Sequence, residues 1–243
     1  GGSADLTIEA FMLQLLAQRS ELPVPGVVHA EPDLLVMEFI EHDGRRLEDG
    51  ERGAADMLVA LHGVTVDAYG LERDTLIGPL VQPNAWMQSW PRFYAERRLQ
   101  IMGDLAERVG SLPGGVRGRL DAVCDRIEDL VGDAAPPSLV HGDIWSGNVL
   151  WDSGRVAAFI DPAVHYADAE VELAFIALFS CFGGAFWARY SELRPIREGF
   201  FETRRTLYQL QPLLIHAALF GGGYGVQVKQ AIGRLGFQHG WSG

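Results

Sequence analysis

The sequence predicts an α+β fold, and three observations carry that prediction. Apolar residues recur at helical spacing in several separate stretches. Two short β-type runs, joined by Asp152-Ser153-Gly154, read as one hairpin. Polar residues able to do chemistry gather at the mouth of that hairpin. At 243 residues the chain has room for one large or two small domains, and a hydrophobic content of 48% supports a sizeable core.

Residues 1–6 are small and polar and read as a flexible start. Over 7–19, Ile8, Phe11, Met12, Leu15 and Leu16 give the i, i+3, i+4, i+7 pattern of an amphipathic helix. Glu9 lies near its beginning, where the helix dipole favours an acid. Pro23 and Pro25 break the chain before residues 27–30, and Glu31-Pro32-Asp33 is a turn. The apolar run 34–40, containing Met37, Glu38, Phe39 and Ile40, predicts a strand buried on both faces, followed by a loop at 41–44. Residues 53–62 predict a helix ending at Gly63, with His62 a structural residue at that end. After a loop over 76–83, Asn84 is expected to cap a helix carrying Trp86, Trp90, Phe93 and Tyr94 on one face, kinked or broken at Pro91. Residues 116–131 predict one amphipathic helix. Asp168 and Glu170 precede an apolar helix over 171–182, where acids satisfy free N–H groups. Residues 203–220 are a long apolar segment interrupted by Pro212. Gly221–Gly225 reads as a helix stop and turn, since it lacks the preceding strand and the Lys-Ser/Thr of a phosphate loop.

Cys124 and Cys181 stand alone in apolar helical patterns, which points to two buried thiols and a reducing compartment. A formal charge of −12 argues against a nucleic-acid partner. No apolar run reaches the ~20 residues of a membrane span, and no charged leader precedes an apolar segment. The expectation is a cytoplasmic chain with no membrane partner; the sequence gives no oligomeric state.

The chemistry concentrates in residues 138–161. His141, Asp143 and Asn148 precede the first strand of the hairpin and Asp161 follows the second. Antiparallel pairing sets the start of one strand beside the end of the other, so Asn148 and Asp161 should be neighbours with Asp143 on the loop before them. This arrangement suits phosphoryl transfer: one carboxylate accepts a hydroxyl proton, while a second carboxylate and an amide oxygen hold Mg²⁺ against a triphosphate. Kinase catalytic loops place the base Asp five residues before the metal-binding Asn, the spacing of Asp143 and Asn148. A hairpin with a capping Asp and a turn Asn would account for a lone Asp-x4-Asn, but not for the His-Gly before it and the Asp that closes the hairpin.

His141-Gly142-Asp143-Ile144-Trp145-Ser146-Gly147-Asn148, followed by Ile160-Asp161-Pro162-Ala163, resembles the fructosamine kinase (ketosamine 3-kinase) family, within the aminoglycoside-phosphotransferase-like branch of the protein-kinase-like fold. The match extends through Tyr166, Asp168, Glu170 and Leu173 and spans residues 8–225. A segment with Gln82, Asn84, Trp86, Trp90, Phe93, Arg98 and Leu99 also resembles the family. Ala167 and Ala169 stand where the family usually has Gly and Arg.

The resemblance implies a two-lobe kinase-like fold, with residues 1–40 the remnant of a small nucleotide lobe and 41–243 a mostly helical large lobe. It implies a cytoplasmic enzyme that uses ATP and Mg²⁺ to phosphorylate a sugar hydroxyl of a small-molecule or protein-linked ketosamine, with Asp143 as base and His141 orienting the loop. By the same resemblance Asn148 and Asp161 bind the metal, the main chain from Met37 through Glu38 and Phe39 to Ile40 meets adenine, and Glu9 pairs with a nucleotide-binding lysine. Trp145 would pack beside the acceptor sugar, and Asp168, Glu170 and Trp86 are further substrate candidates. An aminoglycoside or choline kinase, or a pseudokinase that binds without catalysis, are the alternatives. Lys229 is the sole lysine and lies far downstream of the helix bearing Glu9. That helix also begins too early for three preceding strands, so an additional N-terminal segment of about 25–40 residues is expected.

Overall fold

The computed structural model describes residues 5–236; most of the polar start read over 1–6 lies outside them. Among the described residues, helices alternate with four two-stranded antiparallel pairs, an α+β architecture. Two compact units are present: residues up to Trp86 together with Pro136–Ile196, and Met87–Ala135 together with Arg197 onward.

In the first unit, helix α1 (Leu6–Arg19) starts at Asp5, whose carboxylate accepts the Thr7 N–H, and buries Ala10, Met12, Leu13, Leu15 and Leu16. Strands β1 (Val27–Glu31) and β2 (Leu34–Met37) form a hairpin beside it. The apolar run expected to be buried on both faces ends as a strand at Met37, and Leu34, Val36 and Phe39 are largely exposed. A two-stranded hairpin covered by one helix has only one protected face, so exposure alternates along it with the period of the pleat.

Helix α2 (Glu48–His62) begins earlier than its apolar pattern, on the acids Glu48, Asp49 and Glu51, and ends at Gly63. The short pairs β3 (Thr75–Ile77)/β4 (Leu80–Gln82) and β5 (Ser138–Val140)/β8 (His165–Ala167) follow. Strands β6 (Val149–Asp152) and β7 (Arg155–Phe159) are the expected hairpin, with Ser153 and Gly154 at φ +50° and +81° in the turn. A two-residue turn of this hand matches the twist of its strands. Helix α7 (Glu170–Leu178) is shorter than expected, and α8 (Gly184–Leu193) packs along α2.

In the second unit, the expected helix from Asn84 is displaced. Helix α3 (Trp90–Tyr94) starts after Ser89, whose hydroxyl accepts the Arg92 N–H, and Pro91 occupies its first turn, where a missing N–H costs nothing. A π-helical turn (Ala95–Leu99) carries the chain into α4 (Gln100–Arg108). The single helix expected over 116–131 is two, α5 (Val116–Asp125) and α6 (Ile127–Val131), divided at Arg126. A second π-helical turn (Phe200–Arg204) leads into α9 (Arg205–Phe220), and α10 (Tyr224–Arg234) follows the glycine turn.

Pro212 does not interrupt α9. Proline has no N–H for the carbonyl four residues back, here that of Tyr208. The buried Tyr94 hydroxyl donates to the Tyr208 carbonyl at 2.9 Å instead. Both cysteines are buried free thiols whose pKa values burial pushes up to about 12. Among the described residues, no helix is long and apolar enough to cross a membrane.

Candidate active site

Strand β5 delivers the chain to His141, which is fully buried against Phe159. The Asp143 N–H donates to its Nδ1 at 3.3 Å, and its Nε2 is buried without a hydrogen-bond partner. Accepting at Nδ1 fixes the tautomer with the proton on Nε2. Burial pulls the His141 pKa down to about 4, so the ring is neutral at physiological pH. Its carbonyl accepts the Ala163 N–H at 2.7 Å, which ties the start of the loop to the segment after β7.

Gly142 permits the next turn. Its φ is +87°, and a Cβ there would stand 2.3 Å from the Ala163 carbonyl oxygen. Asp143, half-buried, follows. Burial raises its pKa to about 7; the charges of Asp161 and Glu172 push the same way, against the Asn148 hydrogen bond. A carboxyl held near neutrality is a matched proton acceptor for a hydroxyl at physiological pH.

Asn148 is buried at the entry to β6. Its Nδ2 donates to the Asp143 carbonyl at 2.9 Å and to Asp143 Oδ2 at 3.1 Å, and it lies 3.5 Å from the Asp161 carbonyl. Committing the amide nitrogen to these oxygens turns Oδ1 away from them. The Asn148 carbonyl also accepts the Ile160 N–H at 3.0 Å, extending the hairpin ladder to its mouth. Asp161, exposed, holds φ +52°, a left-handed conformation unusual for a non-glycine residue. Glu9 of α1 reaches the same place. Its pKa is raised by burial, then by the charge of Asp161 and a hydrogen bond to it. The fold thus brings His141, Asp143, Asn148, Asp161 and Glu9 together.

Trp145 is 44% exposed, and its ring lies over Gly147, where an added Cβ would stand 2.4 Å from it. Trp86 is not on a helix; it sits in the loop before α3, 45% exposed, with its ring 6.1 Å from that of Tyr166. Asn84, expected as a cap, is buried and donates to Thr75 Oγ1 and the Arg73 carbonyl. Asp168 and Glu170 are buried at the start of α7, where Asp168 Oδ1 accepts the Glu170 N–H at 3.1 Å. At the end of β2, the Glu38 N–H donates to the Gly26 carbonyl at 2.8 Å, and the Ile40 carbonyl receives His42 Nδ1 at 2.9 Å. Met37 and Ile40 are half-buried, Glu38 and Phe39 exposed.

One residue at this site escaped the sequence reading. Glu172 is buried in the first turn of α7, and its Oε1 accepts the Gly142 N–H at 2.7 Å. The signal was a lone acid among Val171, Leu173, Ala174, Phe175 and Ile176. A charge on an apolar helix face needs a buried partner.

Comparison with known proteins identifies the family. Residues 3–237 match the fructosamine kinase family model. The chain is 37% identical to a "probable ketoamine kinase" of Synechocystis over 231 residues, 92% of this chain and 76% of that protein. It is 31% identical to the chloroplastic protein-ribulosamine 3-kinase of Arabidopsis thaliana over 239 residues, 92% of this chain and 69% of that one. A crystal structure of a "putative fructosamine-3-kinase" from Thermobifida fusca superposes with a TM-score of 0.88 at 32% identity, covering 97% of this chain and 82% of the other. An aminoglycoside phosphotransferase, APH(4)-Ia, superposes at 0.63 with 18% identity, over 98% of this chain and 84% of its own, and shares the fold alone. With the kinase-like fold, the His-Gly-Asp loop and the closing Asp161 all in hand, the chain belongs to the fructosamine kinase family.

Proposed function

We propose that this protein transfers the γ-phosphate of ATP to a sugar hydroxyl of a ketosamine, by family resemblance the 3-hydroxyl, with Asp143 as general base. The observation that carries the reading is the meeting of Asp143, Asn148 and Asp161 at one hairpin mouth, with the Asn148 amide nitrogen 3.1 Å from Asp143 Oδ2. Asp143 takes the acceptor proton, and Asn148 holds that carboxylate in place. His141 orients the loop through the Asp143 N–H. Residues 1–40 serve as the remnant of a nucleotide lobe, with the Glu38 carbonyl and the Ile40 N–H available to the adenine edge and Met37 packing nearby. The exposed ring of Trp145 receives the sugar, with Trp86 as a second apolar surface. Asp168 and Glu170 shape the entry to α7.

The donor set fits Mg²⁺. Asp161 and the Asn148 Oδ1 are hard oxygen ligands, and the carboxyl of Glu9 crowded against Asp161 is a local excess of negative charge that a cation relieves. Among the described residues, no group of three His, Cys, Asp or Glu could hold a metal ion by itself. That agrees with an ion bound by one or two protein ligands and sharing its coordination with phosphate and water. When bound, the ion supplies charge neutralisation to the phosphates.

Incubating the protein with ATP, Mg²⁺ and fructosyl-lysine, then locating the phosphate by mass spectrometry and NMR, tests the reading. Phosphate on the sugar is the expected result. Turnover of aminoglycosides or choline without turnover of any ketosamine overturns it.

A further inference from the structure

Helix α10 packs by Gly225, Val228, Ala231 and Ile232. Its residues Val226, Lys229, Gln230, Gly233 and Arg234 follow the i, i+3, i+4, i+7, i+8 spacing of another helix face. Together with Arg119 of α5 they line an open groove of about 500 Å³, a size typical of small-molecule sites. Val226, Lys229, Gln230 and Arg234 are exposed and Arg119 is half-buried. All six residues belong to the second unit, whereas Asp143, Asn148 and Asp161 belong to the first.

The charge of this groove is one-sided. Arg119, Lys229 and Arg234 line it and no acid does, in a chain with 32 acidic against 20 basic residues. Arg46, Arg52, Arg92, Arg117, Arg126 and Arg189 each pair with a carboxylate. Among the described residues, Arg119, Lys229 and Arg234 form no ion pair. Solvation accounts for a single exposed cation, and the carbonyl end of α10 favours Arg234. Neither reason reaches Arg119, which stands on another helix. Its Nε donates to the Gly115 carbonyl at 3.3 Å, one turn back. That bond steadies the guanidinium and leaves its terminal nitrogens for a further acceptor.

Like charges gathered in one place repel, and an anion in the groove relieves the repulsion. The net charge of −12 does not prevent this. At physiological salt, exposed charges more than about 8 Å away are largely screened, so the nearest cations decide. Arginine forks match pairs of phosphate oxygens, and a lysine adds a point charge. Gln230 adds an amide donor. One carboxylate carries too little charge for this set of cations. We propose that Arg119, Lys229 and Arg234 form a binding site for a phosphate-bearing small anion. Pyrophosphate binds there more tightly than phosphate, because it carries more charge. The site is independent of the assignment of Asp143 as the base.

Lys229 is the sole ε-amine in the sequence and therefore a local probe. The folded protein is treated in chelator with an amine-selective acylating reagent. The rate at Lys229 is read by peptide mass spectrometry, with the α-amine as internal reference. Pyrophosphate should slow acylation of Lys229 several-fold along a saturating curve and leave the α-amine rate unchanged. Phosphate should do the same at higher concentration, and sodium chloride at equal ionic strength should not. Arg119→Gln and Arg234→Gln should each raise the half-saturating pyrophosphate concentration by roughly three- to tenfold. Protection that does not saturate, or that chloride reproduces, overturns the site and leaves a screened basic patch. Protection that persists unchanged in both variants overturns it as well. Protection by an oligoglutamate peptide but by neither phosphate nor pyrophosphate overturns it in favour of a surface for acidic proteins.

Discussion

Gly147 determines where Trp145 can lie. The indole ring occupies the space that any side chain at 147 would need, so the pair acts as one unit. Gly147→Ala should push the ring off its seat and raise the KM for the ketosamine several-fold while leaving the KM for ATP unchanged. Trp145→Ala should move the same constant in the same direction, and an unaltered acceptor KM in both would remove Trp145 from the acceptor site. Asp143 carries the larger effect. Its carboxyl touches Asn148 and stands on a loop pinned at His141, Gly142 and Ala163. Asp143→Asn preserves that geometry but cannot take a proton, so kcat should fall by about 10²–10⁴-fold with ATP affinity within a few-fold. Retention of more than about a tenth of the wild-type rate would mean that another group is the base.

At the scale of elements, the hairpin β6–β7 presents Asn148 at one strand's entry and Asp161 just beyond the other's exit. Both Asn148→Ala and Asp161→Ala should raise the Mg²⁺ concentration needed for nucleotide binding, Asp161→Ala more, because it removes a charge. Unchanged Mg²⁺ titrations in both would place the metal elsewhere. This hairpin was legible in the sequence because its turn, its strands and its polar mouth are local. Other elements were not. Strand β5 pairs with β8 across an intervening hairpin, and nothing in Ser138-Leu139-Val140 names its partner. The contact between His62 and Glu172 spans 110 residues, so His62 read only as a helix end. The helix start at Ser89 in place of Asn84 was hidden by an aromatic pattern that begins upstream of the helix. Pro212 misled for a tertiary reason, since the hydroxyl that takes the place of its missing N–H comes from Tyr94 on another helix. Tyr94→Phe should therefore remove the hydroxyl donor to the Tyr208 carbonyl and destabilise the protein by about 1 kcal/mol, read as a lower Tm at full specific activity.

For the whole molecule, His141 and Asp143 give stability two opposed responses to pH. His141 ordinarily titrates at 6.5, and burial lowers it to about 4 in the folded protein. Between those values the unfolded chain binds the proton and the folded one does not, so this residue makes stability fall as pH drops. Asp143 ordinarily titrates at 3.8 and is raised by burial to about 7. There the folded protein holds the proton and the unfolded chain has lost it, so this residue makes stability fall as pH rises from 3.8 toward about 7. One proton contributes at most about 1.4 kcal/mol per pH unit, and for a chain of this length each kcal/mol moves Tm by roughly 2–4 °C. Across the shared window, from about pH 4 to 6.5, the two contributions cancel and the pair leaves the stability profile flat. Either substitution unmasks the other group. In chelator and without nucleotide, Asp143→Asn should be more stable than the wild type above about pH 7 and should lose Tm on acidification below 6.5. His141→Gln should show the reverse slope, losing Tm as pH rises from about 4 to 7. Every other titrating group is common to the three proteins, so the differences between their Tm profiles isolate this pair. Three parallel profiles would mean that neither His141 nor Asp143 is held in the protonation state its burial implies.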